Sequence, residues 1–361
     1  MTARAPLLLA VAALVLAAIT ACSGTTSPHR SGPSTGTAPP AARPPASQLS
    51  AAPGAGGLTA GDAAVTCSGA TETVSSADQL TAALASAKPG TKISLAPGVY
   101  QGDFTATASG TSIAPITLCG GRNAILSGLS VTSGYTFYLD HASWWQLGGF
   151  TVAGGQKGVV TDGSSYDLIY GLYVHGTGDE AIHLRSFSSH DVVSHNLVRD
   201  TGLDVQFYGE GIYIGSAHKN WCRYSGCNPD ASDDNTIIDN SISNTTAENI
   251  DIKEGTTGGT IASNILSGAG MVSAAATAWV NVKGNGWKII GNSGVNSAGD
   301  GYQVHQVYPG WGLQNSFISN TAALSGTGVG IYVQSSDLRT VVACDNSVTG
   351  AHLSNLPCQT I

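Results

Sequence analysis

The residue types best equipped for chemistry gather in one stretch, Glu248-Asn-Ile-Asp-Ile-Lys253. Lys253 follows Asp251 by two residues and Glu248 by five, and Glu210 opens an earlier copy of the same pattern. Oxygen-only ligands are what calcium takes, which makes Glu210, Glu248 and Asp251 candidate metal ligands. An amine held beside other cations loses affinity for its proton, so Lys253 is a candidate base for drawing a proton from carbon. Without a metal the carboxylates would instead hold the lysine charged. The two assignments are therefore linked.

Copies of this pattern recur along the chain, each with two large apolar residues flanking one polar position. Upstream stand Glu180-Ala-Ile-His-Leu-Arg185 and Glu210-Gly-Ile-Tyr-Ile-Gly215. Downstream stand Trp279-Val-Asn-Val-Lys283, Gly301-Tyr-Gln-Val-His305 and Gly330-Ile-Tyr-Val-Gln334. Recurrence at about 20–40 residues marks a solenoid. A second register supports it: Tyr166 to Gly178 aligns with His190 to Gly202, and the frame continues to put Asn196, Asn240, Asn264, Asn292 and Asn320 in one column. Asparagines stacked at a tight bend can adopt left-handed backbone and bond to the next coil. The expected fold is an all-β, right-handed parallel β-helix. Ser76 to Ala87 carries Leu80, Ala83, Leu84 and Ala87 at helical spacing, with Ser75 or Ser76 as N-cap and Pro89-Gly90 as stop. It reads as a short helix capping the apolar end of the solenoid.

Alternate strand residues then fill a long core: Ile182/Leu184, Ile212/Ile214, Ile250/Ile252, Val280/Val282, Tyr302/Val304 and Ile331/Val333. The other parity faces outward. One outward column holds His183, Tyr213, Asp251, Asn281, Gln303 and Tyr332; the next holds Arg185, Gly215, Lys253, Lys283, His305 and Gln334. Neighbouring coils lie about 4.8 Å apart, so column members are neighbours in space. Singly, an outward polar residue signals no more than solvation. Here charged residues make up only 11% of the chain, yet Arg185, Lys253, Lys283 and His305 line up beside Glu210, Glu248 and Asp251. The interval between strands also widens, from 23 residues (Val159 to Ile182) to 30 and then 38. The added turns are expected to wall a groove, with Trp221, Tyr208 and Tyr224 available for stacking on sugars or for packing.

The first 57 residues carry three arginines and no acid, leaving 12 basic and 23 acidic residues in the remainder. A body that acidic disfavours nucleic acid as partner. Residues 1–22 read as an export signal, Arg4 preceding an apolar run from Leu7 to Ile19, too short to span a bilayer in the ordinary way. Its end, Ile19-Thr-Ala-Cys22, resembles a bacterial lipobox, which makes Cys22 a candidate lipidation site and a lipid anchor the expected link to membrane. Residues 23–57 are a Ser/Thr/Pro/Ala/Gly-rich tether, and 58–361 form the β-helix domain, expected as a monomer outside the cytoplasm. Six further cysteines suit disulfides, with neighbour pairing suggesting Cys67–Cys119, Cys222–Cys227 and Cys344–Cys358.

A groove along a β-helix suits an extended polymer. Elimination from a uronate polysaccharide needs a neutralised sugar carboxylate, a base, and tolerance of the leaving oxygen. Here the sequence resembles polysaccharide lyases of the chondroitinase B/alginate lyase family, through Asp78-Gln-Leu, Lys88-Pro-Gly90, Leu95-Ala-Pro-Gly-Val-Tyr-Gln-Gly102 and Ala114-Pro-Ile-Thr-Leu118 at the cap, and through Glu248 and Lys253 at the spacing of that family's calcium ligand and base. The resemblance implies a calcium-assisted lyase on an acidic polysaccharide, with Lys253, Lys283, Arg185 and His305 catalytic, and His183, Asn281, Gln303, Tyr213 and Trp221 binding substrate. Thr246 stands where the family has its first calcium glutamate, and Lys283 where it has arginine, which lacks lysine's single-point geometry and binds bidentately. A β-helix hydrolase using Asp233-Asp234, a uronate epimerase and a non-catalytic glycan-binding or structural protein are the alternatives.

Overall fold

The computed structural model describes residues 65–297 and 299–361; the expectations for the export signal, Cys22 and the tether lie outside the described residues. Three parallel sheets of eleven, nine and ten strands wind around one core, each coil contributing a strand to each sheet. This is the right-handed parallel β-helix expected. The helix Ala77–Ser86 starts at Ser76, whose side chain accepts from the Gln79 backbone N–H, and buries Leu80, Ala83 and Leu84 over the first coils.

The nine-stranded sheet positions the site. Its strands are Phe104–Ala106, Tyr135–Asp140, Lys157–Asp162, Ile182–Arg185, Ile212–Ile214, Ile250–Ile252, Val280–Val282, Tyr302–Val304 and Ile331–Val333. Ile182 pairs with Ile212, Ile212 with Ile250, Ile250 with Val280, Val280 with Tyr302, and Tyr302 with Ile331. That is the register read from the repeat. All twelve expected core residues of these strands are buried, each contributing roughly 1.5–3 kcal/mol.

The other two sheets meet at a turn that is two residues long in seven consecutive coils, from Gly149-Phe150 to Ser319-Asn320. Its second residue is Asn196, Asn240, Asn264, Asn292 or Asn320 in the last five. Each of the first four amides donates to the next Asn Oδ1 at 2.9–3.0 Å. The ladder runs one rung further than expected, to Asn346. One detail differs from the sequence reading. The left-handed residue is the one before each asparagine (His195, Asp239, Ser263, Gly291 and Ser319, φ +53 to +63°), which turns the chain so that the asparagine points inward.

A second ladder runs through Asp167, Asp191 and Asn235, which share one column of the same alignment. The Oδ1 of Asp167 accepts from the Trp145 N–H at 2.7 Å, Asp191 from Asp167 at 2.9 Å, and Asn235 from Asp191 at 2.8 Å. Asn235 completes its rung by donating to the Ser188 and Ser232 carbonyls. The Oδ2 atoms of Asp167 and Asp191, fully buried, have no partner among the described residues. Burial holds both carboxyls well above the usual carboxylate range, and for Asp167 the neighbouring Asp191 adds to it.

Candidate active site

Tyr138, Val160, His183, Tyr213, Asp251, Asn281, Gln303 and Tyr332 follow one another in register across the nine-stranded sheet. The expected column exists, but it is not the exposed face anticipated. His183, Tyr213, Asp251, Asn281 and Gln303 point away from the core and are nevertheless buried. Segments between the strands reach some of them, His183 at the Gly215 carbonyl and Gln303 at Thr277, and a repeat alignment contains no information about those segments.

At the centre, Asp251 receives two ammonium groups, Lys253 Nζ at 2.6 Å and Lys283 Nζ at 2.5 Å. Lys283 also lies 4.0 Å from Glu248 Oε1. One oxygen from each of Glu210, Glu248 and Asp251 falls within 4.8 Å of the others, and all three residues are buried. Three carboxylates thus face two ammonium ions, and the imbalance settles on Glu210, whose Oε2 is buried without a partner among the described residues. Burial raises the Glu210 carboxyl well above its ordinary range, with Glu180 and Glu248 adding repulsion. Burial and the Asp251 charge raise Glu248 as well. Burial alone would raise Asp251, but its two lysines hold it below the usual range. For Lys253 burial would lower the amine, yet Asp251 leads the charges that hold it well above its ordinary value.

Around this cluster the remaining expected residues divide. Asn281 donates through Nδ2 to Glu248 Oε1 at 2.9 Å, and its Oδ1 lies 3.0 Å from His305 Nδ1. The first bond fixes the amide, so the second fixes the His305 tautomer with Nδ1–H donating and Nε2 bare. Burial, then Lys283, pushes the His305 imidazole below its usual value, keeping it neutral. Tyr213 places its ring 4.8 Å from Lys253 Nζ, and its hydroxyl has no hydrogen-bond partner among the described residues. Burial raises that phenol, so it keeps its proton. Gln303 donates to Thr277 and Asp300.

Three expected residues do other work. Arg185 is clamped by Asp162 at 2.6 and 3.0 Å and buried, which leaves no free cation for a substrate. Asp162 lies one coil upstream of the six aligned strands, outside the compared columns. His183 is fully buried, its Nε2 3.0 Å from the Gly215 carbonyl; burial and the nearby Lys157 hold it neutral. Trp221 is buried too, donating to the Ser216 carbonyl at 3.0 Å and packing edge-on against Tyr308. It supports a wall and offers no platform. Tyr224 lies 4.1 Å from the Arg185 guanidinium, whereas Tyr208 and Phe207 in the 203–209 turn stay exposed.

Thr246 explains its own departure from the family pattern. Its Oγ1 donates to the Gln206 carbonyl at 2.8 Å, and it fills a cradle formed by Gly202 and Gly209. A Cβ on either glycine would lie within 1.9 Å of that oxygen. The 203–209 turn thus packs directly against the Thr246 side chain and leaves little room for a larger one. Cys67–Cys119, Cys222–Cys227 and Cys344–Cys358 are all bonded as neighbour pairing suggested. Asp233 and Asp234 sit at a turn leading into another sheet, where Asp233 accepts from the Thr257 N–H.

No family model matches the chain, and no curated protein matches it. Among solved structures, an alginate lyase from Paenibacillus sp. str. FPU-7 is 33% identical, with a TM-score of 0.73 over 79% of this chain and 98% of that one. The chain belongs to the polysaccharide lyases of parallel β-helix type. Two more distant structures share the fold of this lyase. Pectate lyase Pel9A is 16% identical (TM-score 0.59, over 80% of this chain and 79% of that one), and a mannuronic acid specific family 6 lyase from human gut microbiota is 14% identical (TM-score 0.55, over 80% and 78%). That membership supports a lyase over the hydrolase, epimerase and non-catalytic alternatives.

Proposed function

We propose that this lyase cleaves a uronate-containing polysaccharide by β-elimination at the Lys253–Asp251–Lys283 cluster. The observation that carries the reading is a buried group of three carboxylates and two ammonium ions in adjacent coils of one sheet. In the reaction a base takes the proton α to the sugar carboxylate. The bond from the β-carbon to the glycosidic oxygen breaks, its electron pair leaves with that oxygen, and the oxygen gains a proton. Lys253 and Lys283 bring positive charge to the incoming carboxylate. Tyr213, protonated and without an internal partner, stands beside Lys253 to give its proton to the departing oxygen.

Glu210, Glu248 and Asp251 suit calcium, since their donors are all oxygen and Glu210 Oε2 is otherwise orphaned. Calcium bound there would neutralise the sugar carboxylate and make the Lys253 ammonium easier to deprotonate. Lys253 Nζ is then the base. A second reading rests on the Glu248–Asn281–His305 chain, which leaves His305 Nε2 bare and neutral while Lys253 stays charged on Asp251. In that case His305 takes the proton and Lys253 remains a cation.

The test is incubation with alginate, polygalacturonate, dermatan sulfate and glucuronan, with calcium or chelator, following the ultraviolet absorbance of unsaturated ends. Alginate comes first because the 33% identical structure is an alginate lyase. Product from at least one polyuronate is expected; none from any overturns the reading. Activity abolished by chelator and by Lys253→Met selects the lysine base. Activity indifferent to chelator but lost in His305→Gln by about 10²–10⁴-fold selects histidine. Export and anchoring through Cys22 belong to the same proposal, since such polymers lie outside the cell.

A further inference from the structure

Upstream of the cluster the same sheet floors a cavity of about 500 Å³, lined by Tyr138, Asp162, Phe187, Arg223 and Tyr224 among others. We propose that this cavity is a subsite holding a uronate residue of the bound chain, Arg223 pairing with its carboxylate and Phe187 lying against its ring. The inference rests on the reading that the substrate is a polyuronate. It adds a place where a part of the polymer remote from the broken bond is gripped.

Four observations converge on it. Arg223 is exposed at the cavity and pairs with no carboxylate among the described residues; its guanidinium lies 5.0 Å from the Tyr224 ring centroid. Asp162, the acid in the floor, is already engaged by Arg185 and by the Tyr138 hydroxyl at 2.8 Å, so it does not neutralise Arg223. Phe187 is the second sign. It sits in left-handed backbone at φ +72°, directly after Ser186 at +55°, and its side chain remains 44% exposed. Bulky residues rarely adopt that conformation, and this one recovers little burial for doing so. The buried Asp230 carboxylate enforces it by accepting both backbone N–H groups, at 3.0 and 2.9 Å. An aromatic ring held open by a strained, anchored turn is a platform awaiting a partner, and the apolar faces of sugar rings are suitable partners.

Third, the wall is built in advance. Cys222–Cys227 closes the turn that carries Arg223, Trp221 ties it to Ser216, and the buried Glu254 carboxylate accepts from His218 Nδ1 and its backbone N–H, both at 2.7 Å. Preformed walls lower the ordering cost of binding. Fourth, the position suits a polymer. The cavity spans the coils of Tyr138, Asp162 and Ser186, two to four strands from Lys253, or roughly 10–19 Å along the helix axis. A chain lying in the groove reaches it without bending away.

The experiment compares wild type, Arg223→Gln, Arg223→Lys and Phe187→Ala, each first checked for an unchanged melting temperature. KM and kcat are measured on polyuronate fragments of increasing length. Wild type is expected to bind longer fragments more tightly once they reach the cavity. Arg223→Gln should erase that gain, raising KM for long fragments by about tenfold at unchanged kcat, with Arg223→Lys recovering part of it and the shortest fragments unaffected. Phe187→Ala should raise KM for long fragments in the same way. Equal effects at every length, or no effect of Arg223→Gln or of Phe187→Ala, overturn the proposal. If wild type eliminates nothing, direct titration with polyuronate separates the two ideas. Binding that Arg223→Gln weakens keeps the subsite while the activity reading falls, and binding that it leaves intact removes the subsite.

Discussion

Replacing Asp191 by asparagine should stabilise the protein, and should do so more as pH rises. Asp191 occupies a rung between Asp167 and Asn235, with Oδ1 accepting the Asp167 N–H and Oδ2 buried without a partner. Burial holds the carboxyl well above the usual range, so the folded chain keeps a proton that the unfolded chain releases near pH 3.9. A carboxyl raised by folding contributes its full stability below the unfolded value. That contribution is lost as pH climbs toward the folded value. Asparagine keeps the acceptor, supplies a permanent donor where Oδ2 stands, and does not titrate. Each pH unit between the unfolded and folded values takes about 1.4 kcal/mol from wild type and nothing from the asparagine variant, and for a domain of this size each kcal/mol moves Tm by roughly 2 °C. Asp191→Asn should therefore melt a few degrees above wild type at pH 8 and close to it at pH 4. Calorimetry across that range reads the difference, with Asp191→Ala, which also removes the acceptor, melting below wild type throughout. An Asp191→Asn effect that is destabilising, or the same at every pH, would refute the argument.

Other outcomes follow from the same geometry. Asn264→Ala removes the acceptor of two Asn240 bonds and one donor to Asn292, and should cost about 2–4 kcal/mol in denaturant unfolding. Thr246→Glu should not create a better calcium site; its larger side chain collides with Gly202 and Gly209, and faster proteolysis of the 203–209 turn is the expected sign. Tyr213→Phe keeps the ring beside Lys253 but removes the hydroxyl, and should lower kcat about 10²–10⁴-fold while polymer affinity is retained.

The parts legible beforehand are those that repeat. Ile250 and Ile252 declare the core because strand geometry alternates, and Asn196 to Asn320 declare a bend because every coil reuses it. The trio Glu210, Glu248 and Asp251 was legible for the same reason, since strand alignment carries space with it. What stayed hidden belongs to segments that occur once. The turns that bury the outward column have no counterpart in other coils, so Trp221 reads as a platform until its Ser216 bond and its burial are known. Arg185 reads as a free cation until Asp162, a coil away, is found on it. Asp167 and Asp191 stood in plain alignment with Asn235, but carboxylates suggest solvent, and the alignment gives no hint that these face inward.

The two-residue bend with its asparagine rungs works as a ruler. Because it neither lengthens nor shortens through seven coils, the axial spacing of every side chain on the opposite sheet is fixed by parts that never meet substrate. Length variation is pushed to the turns flanking the site, where strand intervals grow from 23 to 38 residues without disturbing the pitch. The flanking turns can therefore differ in length and sequence while the marks on the ruler stay in place.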